Sequence, residues 1–310
     1  MLIRRRMHFS LLCTGLTLTS CCDSPEPNPY EHKGPYAQLA LADTHTCTLD
    51  TSGKLGCWKY GRLAEMQPPS GRFTQVSSGP YNACAVRIDG RIECWGLCTS
   101  GSCSAPSGAF TSVTVDGHAC ALQPSGAVTC WGHGTKSPSE LFRQVDAGRD
   151  VVCGVTVDDR VVCWGLLRFT PMVPGVAPHP VSLAPPDSVQ GFAVQVSVSR
   201  SHACAVLKSG ALTCWGESAT GQTAVPPGAY RSVVTAPDRT CALTRAGEVS
   251  CWGRPITWMH KTFAPPKGPF VELGLGDSHA CARREDGTVV CWGVDQQSQV
   301  SGKRWMLVRN

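Results

Sequence analysis

Seven times along the chain an aromatic residue leads into an aliphatic one. Six copies place them three positions apart, at Tyr36 to Leu39, Phe73 to Val76, Phe110 to Val113, Phe142 to Val145, Tyr230 to Val233 and Phe270 to Leu273; the other, fifth in order, is stretched from Phe192 through Val196. Each run precedes a stretch in which small and apolar residues flank a cysteine, as in SHACAVLKSGALTCWG at residues 201–216. Residues i and i+2 share a strand face. One unit therefore reads as a strand, a hairpin of two further strands, and an irregular outer piece.

The hairpin turn can be located. For Cys204 and Cys214 to face each other across antiparallel strands, the midpoint must be Ser209, and such three-residue loops commonly end in a left-handed residue at a bulge. Gly210 stands there, and the same offset finds Gly53, Gly90, Gly126, Gly247 and Gly287. The fourth copy has Asp159, which tolerates positive φ better than most residues.

The C-x9-C spacing recurs at Cys47/Cys57, Cys84/Cys94, Cys120/Cys130, Cys153/Cys163, Cys204/Cys214, Cys241/Cys251 and Cys281/Cys291, with successive pairs starting 37, 36, 33, 51, 37 and 40 residues apart. Such a period belongs to propellers and solenoids. In an exported chain these pairs read as disulfides, since a non-hydrogen-bonded cross-strand pair brings the backbones close enough to bridge. The rival is zinc, because His45, His118, His202 and His279 each precede a cysteine by two and share its face. Asn82, Val151 and Arg239 hold the equivalent positions elsewhere, so no constant third ligand exists. Disulfides are expected, with no metal and no cofactor. Cys98 and Cys103 flank TSGS and are expected to close a loop; Cys13, Cys21 and Cys22 complete the count of 19.

Composition agrees with short strands and many turns: Gly 32, Pro 23 and only 16% charged residues. Trp58, Trp95, Trp131, Trp164, Trp215, Trp252 and Trp292 point away from the adjacent cysteine and are expected to fill the space between sheets. Trp215 should pack toward the next sheet. A three-stranded sheet cannot bury both faces alone, whereas a radial ring of sheets can. An all-β, seven-bladed β-propeller with one hairpin disulfide per blade is predicted over residues 36–310. Trp305 to Val308 repeats the aromatic pattern and is read as the closing strand, with Tyr36 to Leu39 as its competitor.

Residues 1–20 run from basic to apolar, the order of a signal peptide, and the apolar run is too short to span a bilayer. The segment ends Leu18-Thr19-Ser20-Cys21, which resembles the lipobox of bacterial lipoproteins and implies lipidation of Cys21. Residues 21–35 then read as a Pro-rich tether. Lys and Arg number 28 against 23 Asp and Glu, but Arg4, Arg5 and Arg6 lie in the leader. The remaining near-neutral body gives no electrostatic case for nucleic acid or an anionic membrane surface.

The units H-x-C-A-L/V, glycine turn and C-W-G, preceded by F-x-x-V, resemble the regulator of chromosome condensation repeat, most of all its cysteine-bearing bacterial extracellular version. The resemblance spans residues 36 to 310 and implies a seven-bladed propeller without implying one activity. The founding eukaryotic branch is a nuclear guanine-nucleotide exchange factor that touches chromatin; export, disulfides and neutral charge contradict that role here. Similar bacterial propellers include a secreted β-lactamase inhibitor, so such a ring can bind a protein.

No nucleophile elbow, P-loop, H-E-x-x-H, EF-hand or dinucleotide fingerprint is present. Carboxylates are scattered singly over the repeats, and Asp158-Asp159 occupy a hairpin turn as turn formers. A catalytic role is not expected. Binding should reside where repeats differ, in the loops 97–108, 166–191 and 254–268. The first is stiffened by its disulfide; the second displays Arg168, Phe169 and Met172, and the third Trp258 and Met259, residue types that anchor interfaces. The competing reading folds these side chains back over blade edges. Deletion of residues 168–186 is expected to leave the fold intact. The chain thus reads as an exported, lipid-anchored, monomeric envelope protein with an unidentified protein partner. The alternatives are a carbohydrate-binding or hydrolytic propeller, which grouped carboxylates and aromatics on one face would favour, and a purely structural repeat protein.

Overall fold

The computed structural model describes residues 30–59, 67–98, 101–132, 136–169, 181–258, 261–262, 264–294 and 300–301. The leader, Cys21, Cys22, Met172, Met259 and Trp305 to Val308 lie outside them. Each repeat folds as an antiparallel sheet, blades 1 to 7. The inner strands are Tyr36–Leu41, Phe73–Ser78, Ser112–Asp116, Phe142–Ala147, Ala193–Val198, Tyr230–Ala236 and Glu272–Leu275. Each pairs with the strand carrying the first cysteine, which pairs in turn with the strand carrying the second. Inner strands touch in chain order, and that of blade 7 touches that of blade 1, so the ring is closed. Among the described residues no helix is long and apolar enough to cross a membrane.

The hairpins form at the predicted register. Leu207 N donates to Ala211 O (2.8 Å) and Gly210 N to Leu207 O (2.8 Å), which frames the three-residue loop. The seven turn residues have φ between 66° at Asp159 and 89° at Gly126. All seven hairpin disulfides are formed: Cys47–Cys57, Cys84–Cys94, Cys120–Cys130, Cys153–Cys163, Cys204–Cys214, Cys241–Cys251 and Cys281–Cys291, with Cα atoms 4.0 or 4.1 Å apart. Cys98–Cys103 is an eighth.

The two sulfurs of a staple are not equally sheltered, which the uniform spacing does not announce. The first cysteine of every hairpin pair is fully buried, whereas Cys57, Cys94, Cys130, Cys163 and Cys214 are half-buried and Cys251 is exposed. The second cysteine lies on the outermost strand of its blade, where the sheet ends. Blade 7 departs from this pattern because a fourth strand covers that edge: Tyr30 pairs with Cys291, which is fully buried.

The disulfides also make the blade interfaces. Phe73, Val76, Ala83, Ala85 and Trp95 of blade 2 pack on Ala40, Cys47, Leu49, Leu55 and Cys57 of blade 1. The alanines flanking the first cysteine in blades 2, 3, 5 and 7 leave room for the preceding blade's bridge, and the tryptophan opposite them covers it. In the same way Cys94 sits with Ala119, Ala121 and Trp131, and Cys130 with Val152 and Trp164. Trp215 accordingly lies against Cys153, Cys163 and Leu183, packing back toward blade 4 rather than toward the next blade. The reason is register: Trp215 pairs with Ala203, so both share the face that looks backward.

A second, polar set of bonds joins the inner strands. Gln75 Nε2 donates to Val113 O (2.9 Å) while its Oε1 accepts from Val113 N (2.9 Å). Gln38, Gln144 and Gln195 do the same to Val76, Val196 and Val233. At the seam between blades 7 and 1 the position holds Glu272, which accepts from Leu39 N (2.9 Å) and pairs with Arg283 (2.7 Å). His202 and His279 reach across interfaces to Thr240 (2.7 Å) and Thr46 (3.0 Å), and burial lowers their pKa values to about 4 and about 3.

Two further expectations are corrected. The fifth inner strand is not stretched: Ala193 pairs with Leu207 as Phe73 pairs with Arg87, so Ala193 takes the aromatic site and Phe192 projects outward, 60% exposed. Val189 and Leu183, from the preceding linker, join Ala193 in one core cluster and supply the missing apolar volume. For the same reason the long linker is not dispensable, because Leu183 is 1% exposed and its carbonyl accepts from Trp215 Nε1 (3.0 Å). On the outer edge of blade 7, Tyr30–His32 pairs with Val289–Cys291 from within the Pro-rich stretch, while the expected closing strand, Trp305 to Val308, lies outside the described residues.

Candidate functional site at the channel mouth

Every inner strand hands over to the second strand of its blade at the same end of the central channel. The residue two positions before the first residue of that second strand lines the channel. Asp277, Asp43 and Asp116 are so placed in blades 7, 1 and 3, Arg149 and Arg200 in blades 4 and 5, and Pro80 and Pro237 in blades 2 and 6. Together they ring the mouth of a cavity of about 750 Å³ lined by inner strands of all seven blades. Close approach of neighbouring loops sets two glycines: a Cβ on Gly117 (φ 44°) would lie 2.0 Å from Arg149 O, and one on Gly148 would lie 2.6 Å from Ser199 O.

The ring is electrostatically divided. Desolvation, then the charges of Asp43, Asp146 and Asp277, push Asp116 up to about 7, with Arg149 opposing. Desolvation, then the charge and hydrogen bond of Asp43, push Asp277 up to about 7 as well. Below them Asp146 is raised to about 6 by burial although it accepts from Val198 N (2.8 Å). Asp238 is spent locally, on Arg254 (3.1 Å) and the buried Arg239 (3.5 Å).

Blade 2 adds an apolar rim. Tyr81 is 63% exposed, and its carbonyl accepts from the N–H of exposed Leu97 (2.9 Å). The Cys98–Cys103 loop follows at once and is fixed by Trp131 Nε1 donating to Ser102 O (2.9 Å). Of the three candidate loops, this first one reaches the cavity, through Leu97 and Ser102. In the second, Arg168–Phe169 pairs with Val181–Ser182; in the third, Thr257–Trp258 pairs with Lys261–Thr262. Ile256 of the third loop is buried in the core of blades 6 and 7. Asp158 and Asp159 are turn formers paired with Arg160, Arg143 and Lys208.

The ring of aspartates and arginines was not visible as a motif. Its members lie singly in separate repeats, and the only signal is a charged or proline residue two positions before the His-type site of each copy.

Seven sheets closed around a solvent-open channel define a disulfide-stapled β-propeller. Two of its repeats match a family model, "Regulator of chromosome condensation (RCC1) repeat", at residues 193–222 and 270–299. No curated protein matches the chain. Among solved structures it is similar to the CRINKLY WD40 ectodomain of the Arabidopsis thaliana receptor kinase ACR4, at 21% identity and TM-score 0.69, covering 86% of this chain and 98% of that one. The ectodomain of the Physcomitrella patens receptor kinase CR4 is similar at 23% and 0.66, covering 84% and 74%. Prp20p of Saccharomyces cerevisiae, whose structure is described with its binding to Gsp1p and histones, is similar at 16% and 0.61, covering 84% and 82%. At these identities the likeness is one of fold.

Proposed function

We propose that the chain is an exported, non-catalytic propeller that binds another protein at the channel mouth, held at the bacterial envelope by lipid on Cys21. One observation carries this reading. Packing fills the repeated positions between blades, yet the mouth carries crowded carboxylates, two arginines and an exposed tyrosine beside a stapled loop. Protein binding by the Prp20p propeller supports the class of activity, and eight disulfides support an oxidising compartment. Arg168, Phe169, Met172, Trp258 and Met259 are proposed as outer contacts for the same partner.

A second reading, a carbohydrate-binding or hydrolytic propeller, is favoured by the grouping of three aspartates with Tyr81 on one face. Crosslinked capture from the native envelope decides between them. One protein recovered in proportion to the bait is the expected result; retention of envelope glycan with no specific protein would sink the primary reading. Cys21→Ser should move the chain from the membrane fraction to the soluble one.

A further inference from the structure

We propose that the mouth receives a polypeptide loop with a basic side chain on the Asp43, Asp116 and Asp277 arc and an acidic one toward Arg149 and Arg200. This rests on the protein-binding reading above and names the chemistry of the partner. Blades 7, 1 and 3 supply the carboxylates of one cavity rim and the following blades 4 and 5 its guanidinium groups, with Arg149 in electrostatic reach of Asp116. Among the described residues neither Arg149 nor Arg200 has an ion pair, and both are exposed. Crowded carboxylates gain from an entering cation, since an opposite charge favours their ionised form.

An independent observation points to a polypeptide. Asn82 lines the same cavity, is 7% exposed, and its Nδ2 has no acceptor. The cause is local. His279 and His202 find Thr46 and Thr240 on the following blade, but the matching residue opposite Asn82 is Ala119, which has no side-chain oxygen. A buried amide donor without a partner is costly, and a main-chain carbonyl of an inserted loop would satisfy it. The cavity, about 750 Å³, suits a few residues rather than a folded domain. Tyr81 and Leu97 at its edge give the apolar anchor, already rigid through Cys98–Cys103.

The test pans a display library of short, disulfide-closed random loops against the oxidised full chain. Recovered loops should be enriched in Lys or Arg together with Asp or Glu. Their binding should weaken about tenfold on Asp277→Asn and on Arg200→Ala, and should weaken with salt. The first change is isosteric and the second is on an exposed side chain, and intact mass with eight disulfides verifies each variant. Loops of unbiased charge, binding indifferent to both changes, or an empty selection would overturn the proposal. Envelope capture of a partner through another surface would still succeed in those cases, so the two readings fail separately.

Discussion

The blade interfaces and the channel mouth use the same backbone seven times and treat it in opposite ways. At the interfaces the side chains repeat because geometry leaves little choice: a disulfide of one blade meets two small residues and a tryptophan of the next. At the mouth the equivalent positions hold Asp, Pro or Arg, and two of the carboxyls are raised to about 7 by desolvation and by neighbouring carboxylates, Asp43 foremost. A fold that needed only stability would not crowd aspartates there. The difference teaches that repetition marks what holds the ring together, and its loss marks where the ring meets something else.

That contrast can be broken at its strongest point first. Trp292→Ala should cost about 3–5 kcal/mol, because a fully buried indole is removed from the interface with blade 6. Leu183→Ala should cost about 2–4 kcal/mol in chemical denaturation, whereas Phe192→Ser, nine positions on but exposed, should change stability by less than about 0.5 kcal/mol. Equal effects would mean that the long linker is not part of the core. Replacing Cys204 and Cys214 together by alanine should cost about 2–3 kcal/mol. Gln75→Ala strips partners from both the N–H and the carbonyl of Val113 and should cost about 1–3 kcal/mol. Arg200→Ala, at the mouth, should leave denaturation within about 0.5 kcal/mol of the parent.

Much of the ring was legible because its signals are local. The ten-residue separation of Cys204 and Cys214 and the glycine at 210 dictate a hairpin with a bulged turn, and Asp159 follows the same rule. What depends on ring closure was not legible. Gln75 lies 38 positions from Val113, and nothing local says that its amide will imitate a neighbouring strand. The backward direction of Trp215 likewise needs the hand of the ring. Nor does the spacing tell exposed Cys251 from buried Cys291, since only the strand at Tyr30 separates their surroundings. The aspartates of the mouth look like isolated turn residues until blades 7, 1 and 3 are placed around one axis.

The most direct test is thermal unfolding of Asp116→Asn with Asp277→Asn across pH. Both carboxyls have folded pKa values raised from 3.8 to about 7, so their ionised forms are disfavoured in the folded ring. Stability is therefore fully present below the unfolded value and is lost as pH rises through about 7. Asp43, Asp146 and Asp238 add to this repulsion, while Arg149 and Arg239 reduce it. The double variant should match the parent near pH 4 and exceed its Tm by a few degrees at about pH 8, with the recovered loops no longer bound. A variant that melts below the parent at about pH 8 would show that the carboxylates hold the ring together, and would contradict the account.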